Sequence, residues 1–401
     1  MNSKKTTISG TGCALADLIY NGVSFDSTGF GRYLSKRAGD GGLSPGKLVF
    51  TEELESFSKK AYLEILKDII GDKTPDVINV GGPSLVSMIL ASQILDPHDY
   101  EVRFFGIAGK DNYQQKIFEL LKQTPLGIEN YKIDEQKTTP TTDVFSDPGY
   151  DNGHGERTFV NNIGAAWDFD PQQLNDGFFD ADIHCYGGTA LVPPLHDNLS
   201  SLLKRSKRRN NITVVNTVFD FRNQKRQPDQ PWPLVDSVYD YRLIDILIMD
   251  HEEALRISGK STIEAAAEFF SNSSLSSFII TNGAKDLLAY SSGTLFSETG
   301  ILTFPTSRWV RERIKNNPER NGDTTGCGDN FAGGVIASLA TQLKHREKGS
   351  FDLSEAVSWG VSAGGNCCFT VGGTYIEEMP GELIRGIQEI QKDYITQIGI
   401  K

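Results

Sequence analysis

The sequence predicts an α/β fold: a mostly parallel sheet covered by helices on both faces, with a small group of strands set beside it. Three observations carry this. Short apolar strand-like runs alternate with helical stretches along most of the 401 residues, as repeated βαβ units do. One interval, Thr138–Val160, breaks the alternation; it is polar, turn-rich and lacks a helical period, so it reads as antiparallel strands outside the main sheet. Glycine pairs close several of the runs, most densely in Asn321–Gly334, where N-G-D-T-T-G-C-G-D-N-F-A-G-G leads straight into an apolar stretch.

The elements follow in order. Ile8–Leu18 reads as a short apolar strand containing Gly10-Thr11-Gly12. A dinucleotide fingerprint would need a third glycine at residue 15, and Leu15 stands there, so no NAD site is expected. Asn21–Pro45 is rich in Gly, Ser and Asp and offers little core. Leu54–Ile70 reads as one amphipathic helix. Asp76–Val80 is a strand ending in Gly81-Gly82, followed by an apolar helix to Leu95. Val102–Ala108 is a buried strand and Asn112–Lys122 a helix. Beyond 160 the alternation returns, with strands at Asp182–Tyr186, Ile212–Asn216, Ile244–Met249 and Ser277–Thr281. Helices are expected at Leu195–Arg209, His251–Ser258 and Ile263–Ser271, then in the 330s, at 354–369 and at the C-terminus. Ligands of such sheets lie beyond the carboxyl ends of the strands.

Composition narrows the function. Apolar residues make up 38% and charged residues 23%, the balance of a soluble globular protein. A net charge of -12 argues against nucleic acid as partner. No apolar run approaches the roughly 18 residues of a membrane span. The first seven residues hold two lysines but no long apolar stretch, so no signal peptide and a cytoplasmic location are expected. The five cysteines, Cys13, Cys185, Cys327, Cys367 and Cys368, are odd in number and lack metal-ligand spacing, and read as reduced thiols.

The chemistry concentrates in Asn321–Gly334. Phe331, Val335 and Leu339 recur at helical spacing, so a glycine-rich turn feeds a helix. The N–H groups of Gly326, Cys327 and Gly328 then sit at a helix N-terminus, where the dipole favours an anion. Glycine there keeps Cβ atoms away from a phosphate oxygen. Asp329 beside that pocket is placed to accept a proton from an attacking hydroxyl.

The string D-T-T-G-C-G-D-x-F-x-G-G resembles the C-terminal signature of the ribokinase-like (PfkB-type) carbohydrate kinases. The resemblance implies a ribokinase-like three-layer core in a single domain over 1–401, with a small β-sheet lid from about 13–50 and 135–165. It implies ATP-dependent phosphorylation of a hydroxyl, Asp329 as catalytic base and the Gly326–Gly328 amides as the anion hole. Cys327 replaces the common alanine; it is small enough to fit, and no redox role is attached to it. Asp323 would order the phosphate loop or a monovalent cation such as K⁺. The remaining motifs come in the family's order. Asp17 matches a substrate-hydroxyl ligand. Gly81-Gly82 matches a turn that approaches the substrate, although Val86 stands where Asn is usual. Gly106–Asp111 matches a further turn, with Asp111 read as a helix N-cap and Gln114 in place of a glycine. Gly155–Phe159 and Gly164–Ala166 imply a lid strand carrying Arg157 over the substrate and, with Gly42 and Gly46, point to the adenosine-kinase-like branch. Asp250 and Glu253 match N-x-x-E, with Asp250 replacing Asn and Glu253 organising the water around Mg²⁺. Thr281 and Gly283 match the nucleotide side, and Asn366, within Gly364–Cys368, the element bordering adenine. Ala254–Ser261 nearly fits a P-loop but lacks the first glycine. Arg308–Arg320 reads as a solvated loop, the sharper alternative being phosphate capture. The expected substrate is a sugar; the alternatives are a nucleoside, or a catalytically weak binding regulator on the same fold. A homodimer through the lid is a further expectation of the resemblance.

Overall fold

The computed structural model describes residues 4–37, 39–153, 155–317, 322, 324–345 and 351–399. Its strands are β1 (Thr6–Gly12), β2 (Leu15–Asn21), β3 (Leu48–Phe50), β4 (Val77–Gly81), β5 (Tyr100–Gly109), β6 (Gly127–Asp134), β7 (Thr141–Asp147), β8 (Glu156–Asn162), β9 (Ile183–Gly187), β10 (Ile212–Asn216), β11 (Ile246–Asp250), β12 (Ser277–Thr281), β13 (Leu287–Ser291) and β14 (Thr299–Phe304). Among the described residues they form a nine-stranded sheet, ordered β14-β13-β12-β11-β10-β9-β1-β5-β6, and a five-stranded sheet, ordered β3-β8-β7-β2-β4. From β6 to β12 every pairing in the large sheet is parallel; β13 and β14 finish it antiparallel.

The large sheet is buried on both faces, which is why β11 and β12 hold the continuous apolar runs Ile246–Met249 and Phe278–Ile280. Along β11, Ile246 and Ile248 enter one core with Ile8, Val214 and Val335. Leu247 and Met249 enter the other with Val215, Ile257 and Phe270. Helices Pro83–Ile94, Cys327–His345 and Leu353–Cys367 cover the first face; Leu199–Lys207, His251–Ser258 and Ile263–Ser271 cover the second. The small sheet turns Ala16, Leu18, Tyr20, Phe145 and Val160 towards Leu54 and Ile65 of its own helices.

Several elements differ from the sequence reading. Ile8–Leu18 is two strands in different sheets. The chain leaves the large sheet at Gly12, whose φ is 135°, and a Cβ there would stand 1.8 Å from Gly187 O. Leu54–Ile70 is also divided, into Thr51–Ser58 and Tyr62–Ile70. Lys59 stops the first helix in the left-handed region at φ 61°, and Glu55 Oε1 accepts the Tyr62 N–H at 2.7 Å to start the second. β4 belongs to the small sheet, paired antiparallel with β2, so that sheet draws on residues outside 13–50 and 135–165. Strand β6 carries too many exposed or half-buried polar positions to stand out as an apolar run, while β13 and β14 are short antiparallel strands at the sheet edge that the sequence reading passed over. Arg308–Asn316 is a helix, not a loop, anchored by buried Val310; residues 318–320 lie outside the described residues. No helix among the described residues is long and apolar enough to cross a membrane.

Candidate active site

The parallel strands end together at Gly12, Gly187, Asn216, Asp250 and Thr281, and the glycine loop, described at 322 and 324–328, stands beyond that edge. Its glycines serve two different ends. A Cβ on Gly322 would stand 1.8 Å from Thr370 O, and one on Gly326 2.4 Å from Gly373 Cα. Gly326 also has φ 74°, a conformation costly for other residues. Both are glycine because the 368–373 segment runs against them, which corrects the expectation that the ligand alone requires them. Gly328 differs: it is exposed, and a Cβ there would meet nothing within 4 Å. The Cys327 N–H donates to Thr324 O at 3.3 Å. Asn330, which the sequence reading passed over, holds the loop: its Nδ2 donates to Gly326 O at 2.8 Å and Gly373 O at 2.8 Å.

Asp329 lies in the first turn of the helix Cys327–His345. Among the described residues its carboxylate has no hydrogen-bond or ion-pair partner, and burial pushes its carboxyl up to about 6. Asp17 approaches from β2. A Cβ on Gly81 would stand 2.3 Å from Asp17 Oδ2, and one on Gly82 2.7 Å from Cys13 O. Burial, and then the charges of Asp329 and Asp17, push the Cys13 thiol up. Both carboxylates are therefore near one sulfur at the crossing between the sheets, and the structure brings Asp17, Gly81, Gly82 and Asp329 together there.

Strand register extends this face. Asp17 pairs with Asn79 on one side and Thr142 on the other, and Thr142 pairs with Asn161. Side chains of paired residues share a face, so Asn79, Asp17, Thr142 and Asn161 form a polar row. Asn161 Nδ2 donates to Thr142 Oγ1 at 2.9 Å. Arg157 and Phe159 lie on the same face of β8 by the period of two. Arg157 Nη1 donates to Thr325 Oγ1 in the glycine loop, so this face looks towards the loop.

On the opposite flank, Asp250 pairs with Thr281 across β11 and β12, and Gly283 follows with φ 57° and open space around its Cα. Asp250 Oδ1 accepts the Glu253 N–H at 2.8 Å, and Glu253 Oε2 accepts the Asp250 N–H at 3.0 Å, a reciprocal helix cap. Glu253 Oε2 also accepts from Thr217 Oγ1 at 2.6 Å. Burial first, then the charge of Asp250, with a smaller push from Asp329, raise the Glu253 carboxyl to about 8. Asn366 lies near the end of the helix Leu353–Cys367, and its Oδ1 would stand 3.0 Å from a Cβ on Gly386 of the C-terminal helix. Asp323 lies outside the described residues. Asn216 is a second residue that the sequence reading missed. It ends the apolar strand β10 at the carboxyl edge, and its buried Oδ1 has no partner among the described residues. A polar residue closing an apolar strand was the available signal.

The model of the pfkB family carbohydrate kinases matches residues 77–378, more than half of the chain. The chain belongs to the PfkB family of carbohydrate kinases. It is a phosphotransferase acting on hydroxyl groups. It is 27% identical to the adenosine kinase of Schizosaccharomyces pombe over 276 residues, covering 65% of this chain and 74% of that protein. Among solved structures it resembles the adenosine kinase from Sinorhizobium meliloti with a TM-score of 0.68 at 15% identity, covering 96% of this chain and 99% of that one. The ribokinase from Thermotoga maritima gives a TM-score of 0.61 at 16% identity, with 96% and 99% covered. At these identities the structural likeness establishes the ribokinase-like fold, with its large mostly parallel sheet and second small sheet.

Proposed function

We propose that this kinase transfers the γ-phosphoryl group of ATP to a hydroxyl of a sugar held between the glycine loop and the polar face of the small sheet, which acts as a lid. The observation that carries this reading is Asp329: a half-buried carboxylate with no partner among the described residues, beside the open backbone of Gly328. Such a group is costly to fold and marks a functional site. With a carboxyl near 6, Asp329 is mostly ionised at neutral pH yet basic enough to take a proton.

The substrate oxygen attacks the γ-phosphorus, its proton passes to Asp329, and the bond to the β-phosphate oxygen breaks to release ADP. Asp17 orients the hydroxyl-bearing ring, and Gly81 and Gly82 leave room for its approach. The amides of Gly326 and Gly328 face the charge that spreads over the transferring group, while that of Cys327 is turned to Thr324 O. Arg157 ties the lid to the loop and helps to exclude water, which limits hydrolysis of ATP. Thr281, Gly283 and Asn366 border the nucleotide. Asp250 and Glu253 offer the hard oxygen donors that Mg²⁺ takes, and the charges of Asp250 and Asp329 favour a cation beside them. Bound there, Mg²⁺ would offset phosphate charge.

A nucleoside is the second reading. Phe159 lies one step along the lid face from the polar row, where it could stack a base, and the Schizosaccharomyces pombe relative is an adenosine kinase. A panel of sugars and nucleosides in a coupled ADP-release assay decides between them. Turnover with a free sugar supports the first reading, turnover confined to nucleosides replaces it with the second, and turnover with neither rejects both.

A further inference from the structure

The helices Cys327–His345 and Leu353–Cys367 meet along a seam of small residues. A Cβ on Gly334 would stand 2.5 Å from Trp359 O, one on Gly360 2.8 Å from the Phe331 ring, and one on Gly364 2.8 Å from Cys327 O. Glycine at these positions lets the backbones approach closely. The approach places Cys327, the first residue of one helix, against Cys367 and Cys368 at the end of the other. The Cys327 and Cys368 sulfurs are 3.5 Å apart, and both residues are half-buried. Cys367 is buried and committed inward: its thiol donates to Thr325 O at 3.4 Å and accepts from Asn330 Nδ2 at 3.3 Å. Cys13 and Cys185 are buried elsewhere.

We propose that Cys327 and Cys368 form a reversible modification site, oxidised by a hydroperoxide to a disulfide that locks the glycine loop. One sulfur attacks the peroxide; a sulfur–oxygen bond forms as the oxygen–oxygen bond breaks, and an alcohol (water, for hydrogen peroxide) leaves. The second sulfur then attacks the sulfenic sulfur; the disulfide forms as the sulfur–oxygen bond breaks, and water leaves. The two thiols give up two electrons and two protons, and the hydroperoxide accepts them. Hydrogen bonding with Cys367 and Cys368, with burial, pushes the Cys327 thiol up, so the reaction needs a large excess of oxidant.

The consequence is local. Cys368 O already accepts the Gly322 N–H at 2.9 Å. A bond from Cys327 to Cys368 ties both ends of the loop to one residue. The sulfurs must close from 3.5 Å to about 2 Å, and the helix turn that carries Gly328 and Asp329 moves with Cys327. Misplacement on that scale costs about 10²-fold in rate.

The test treats the full-length protein with excess hydrogen peroxide, alkylates it, digests it without reductant and weighs the peptides. The expected result is a joined Cys327–Cys368 peptide pair lacking two hydrogens, with turnover lowered about 10²-fold and restored by dithiothreitol. Cys368→Ser, compared with its own untreated value, should keep its turnover under oxidant and give no joined pair. Cys327→Ala, which installs the residue common in the family, is a second variant and should likewise give none. Recovery of Cys327 fully alkylated, a Cys367–Cys368 pair alone, or equal inactivation of Cys368→Ser would overturn the proposal. The joined peptide is read without substrate, so it stands or falls separately from the role given to Asp329.

Discussion

Asp329 and Glu253 invite comparison. Both are acids in the first turn of a helix at the carboxyl edge of the large sheet, and burial raises both carboxyls. Glu253 is engaged three ways: it caps Asp250, receives its own cap in return and accepts from Thr217. Asp329 has no partner among the described residues, and a glycine with open space precedes it. Helix dipoles favour acids at such positions, so position alone does not separate function from structure. Partners do. An acid that closes a cap contributes to folding, whereas the half-buried Asp329, without a cap, is the one proposed to meet a substrate.

The largest expected effect follows from that contrast. Asp329→Asn should lower kcat by about 10²–10⁴-fold without loss of thermal stability, because it removes a half-buried charge that has no partner among the described residues. A variant with more than half of wild-type turnover would end the assignment. Next comes the loop. Gly328→Ala adds a methyl in open space beside Asp329 and should lower turnover while leaving Tm unchanged. Gly326→Ala puts a Cβ against Gly373 in a left-handed backbone and should cost roughly 1–2 kcal/mol of stability for the conformation alone. Equal Tm values for the two variants would show that the loop's glycines do not divide as described.

Glu253 gives a smaller and opposite signature. Its carboxyl is raised from the ordinary range to about 8, so between about pH 4.3 and pH 8 the folded state holds a proton that the unfolded state has lost. Stability should therefore fall as pH rises through that window. Glu253→Gln should flatten this slope in urea titrations while losing about 1 kcal/mol from the cap. An unchanged slope would place the linkage elsewhere. The smallest effect is expected from the cationic helix. Arg313 stacks over Trp309 at 4.6 Å, and Trp309 meets Phe369, near the segment that supports the loop. Neutralising Arg311 and Arg313 together should raise KM for ATP or for an anionic substrate at low salt, with the effect shrinking as exposed charges are screened. Unchanged KM values at low ionic strength would make the helix a structural element only.

Much of the fold was legible where local signals agree. Ile212–Asn216, Ser277–Thr281, His251–Ser258 and Ile263–Ser271 fall at their expected limits, because apolar runs and capping residues mark the same boundaries. Asp111 caps its helix by accepting from Gln114 N–H. The turn at Gly12 was not legible, since its cause is Gly187, far away in sequence. Arg308–Asn316 was not, since four cations hide a helix anchored by one buried valine. At the site, Asp329 and the glycine loop could be read from their spacing. The meeting of Cys327 with Cys368 could not, nor could the grip of Asn330 on Gly373, because both depend on two helices packing across glycines.

The pH dependence of kcat/KM tests the contrast between the two acids most directly. If Asp329 is the base, activity should rise about tenfold per pH unit at low pH and level off above a pKa near 6. A profile that still climbs through pH 7 and levels only near 8, where Glu253 titrates, would contradict it.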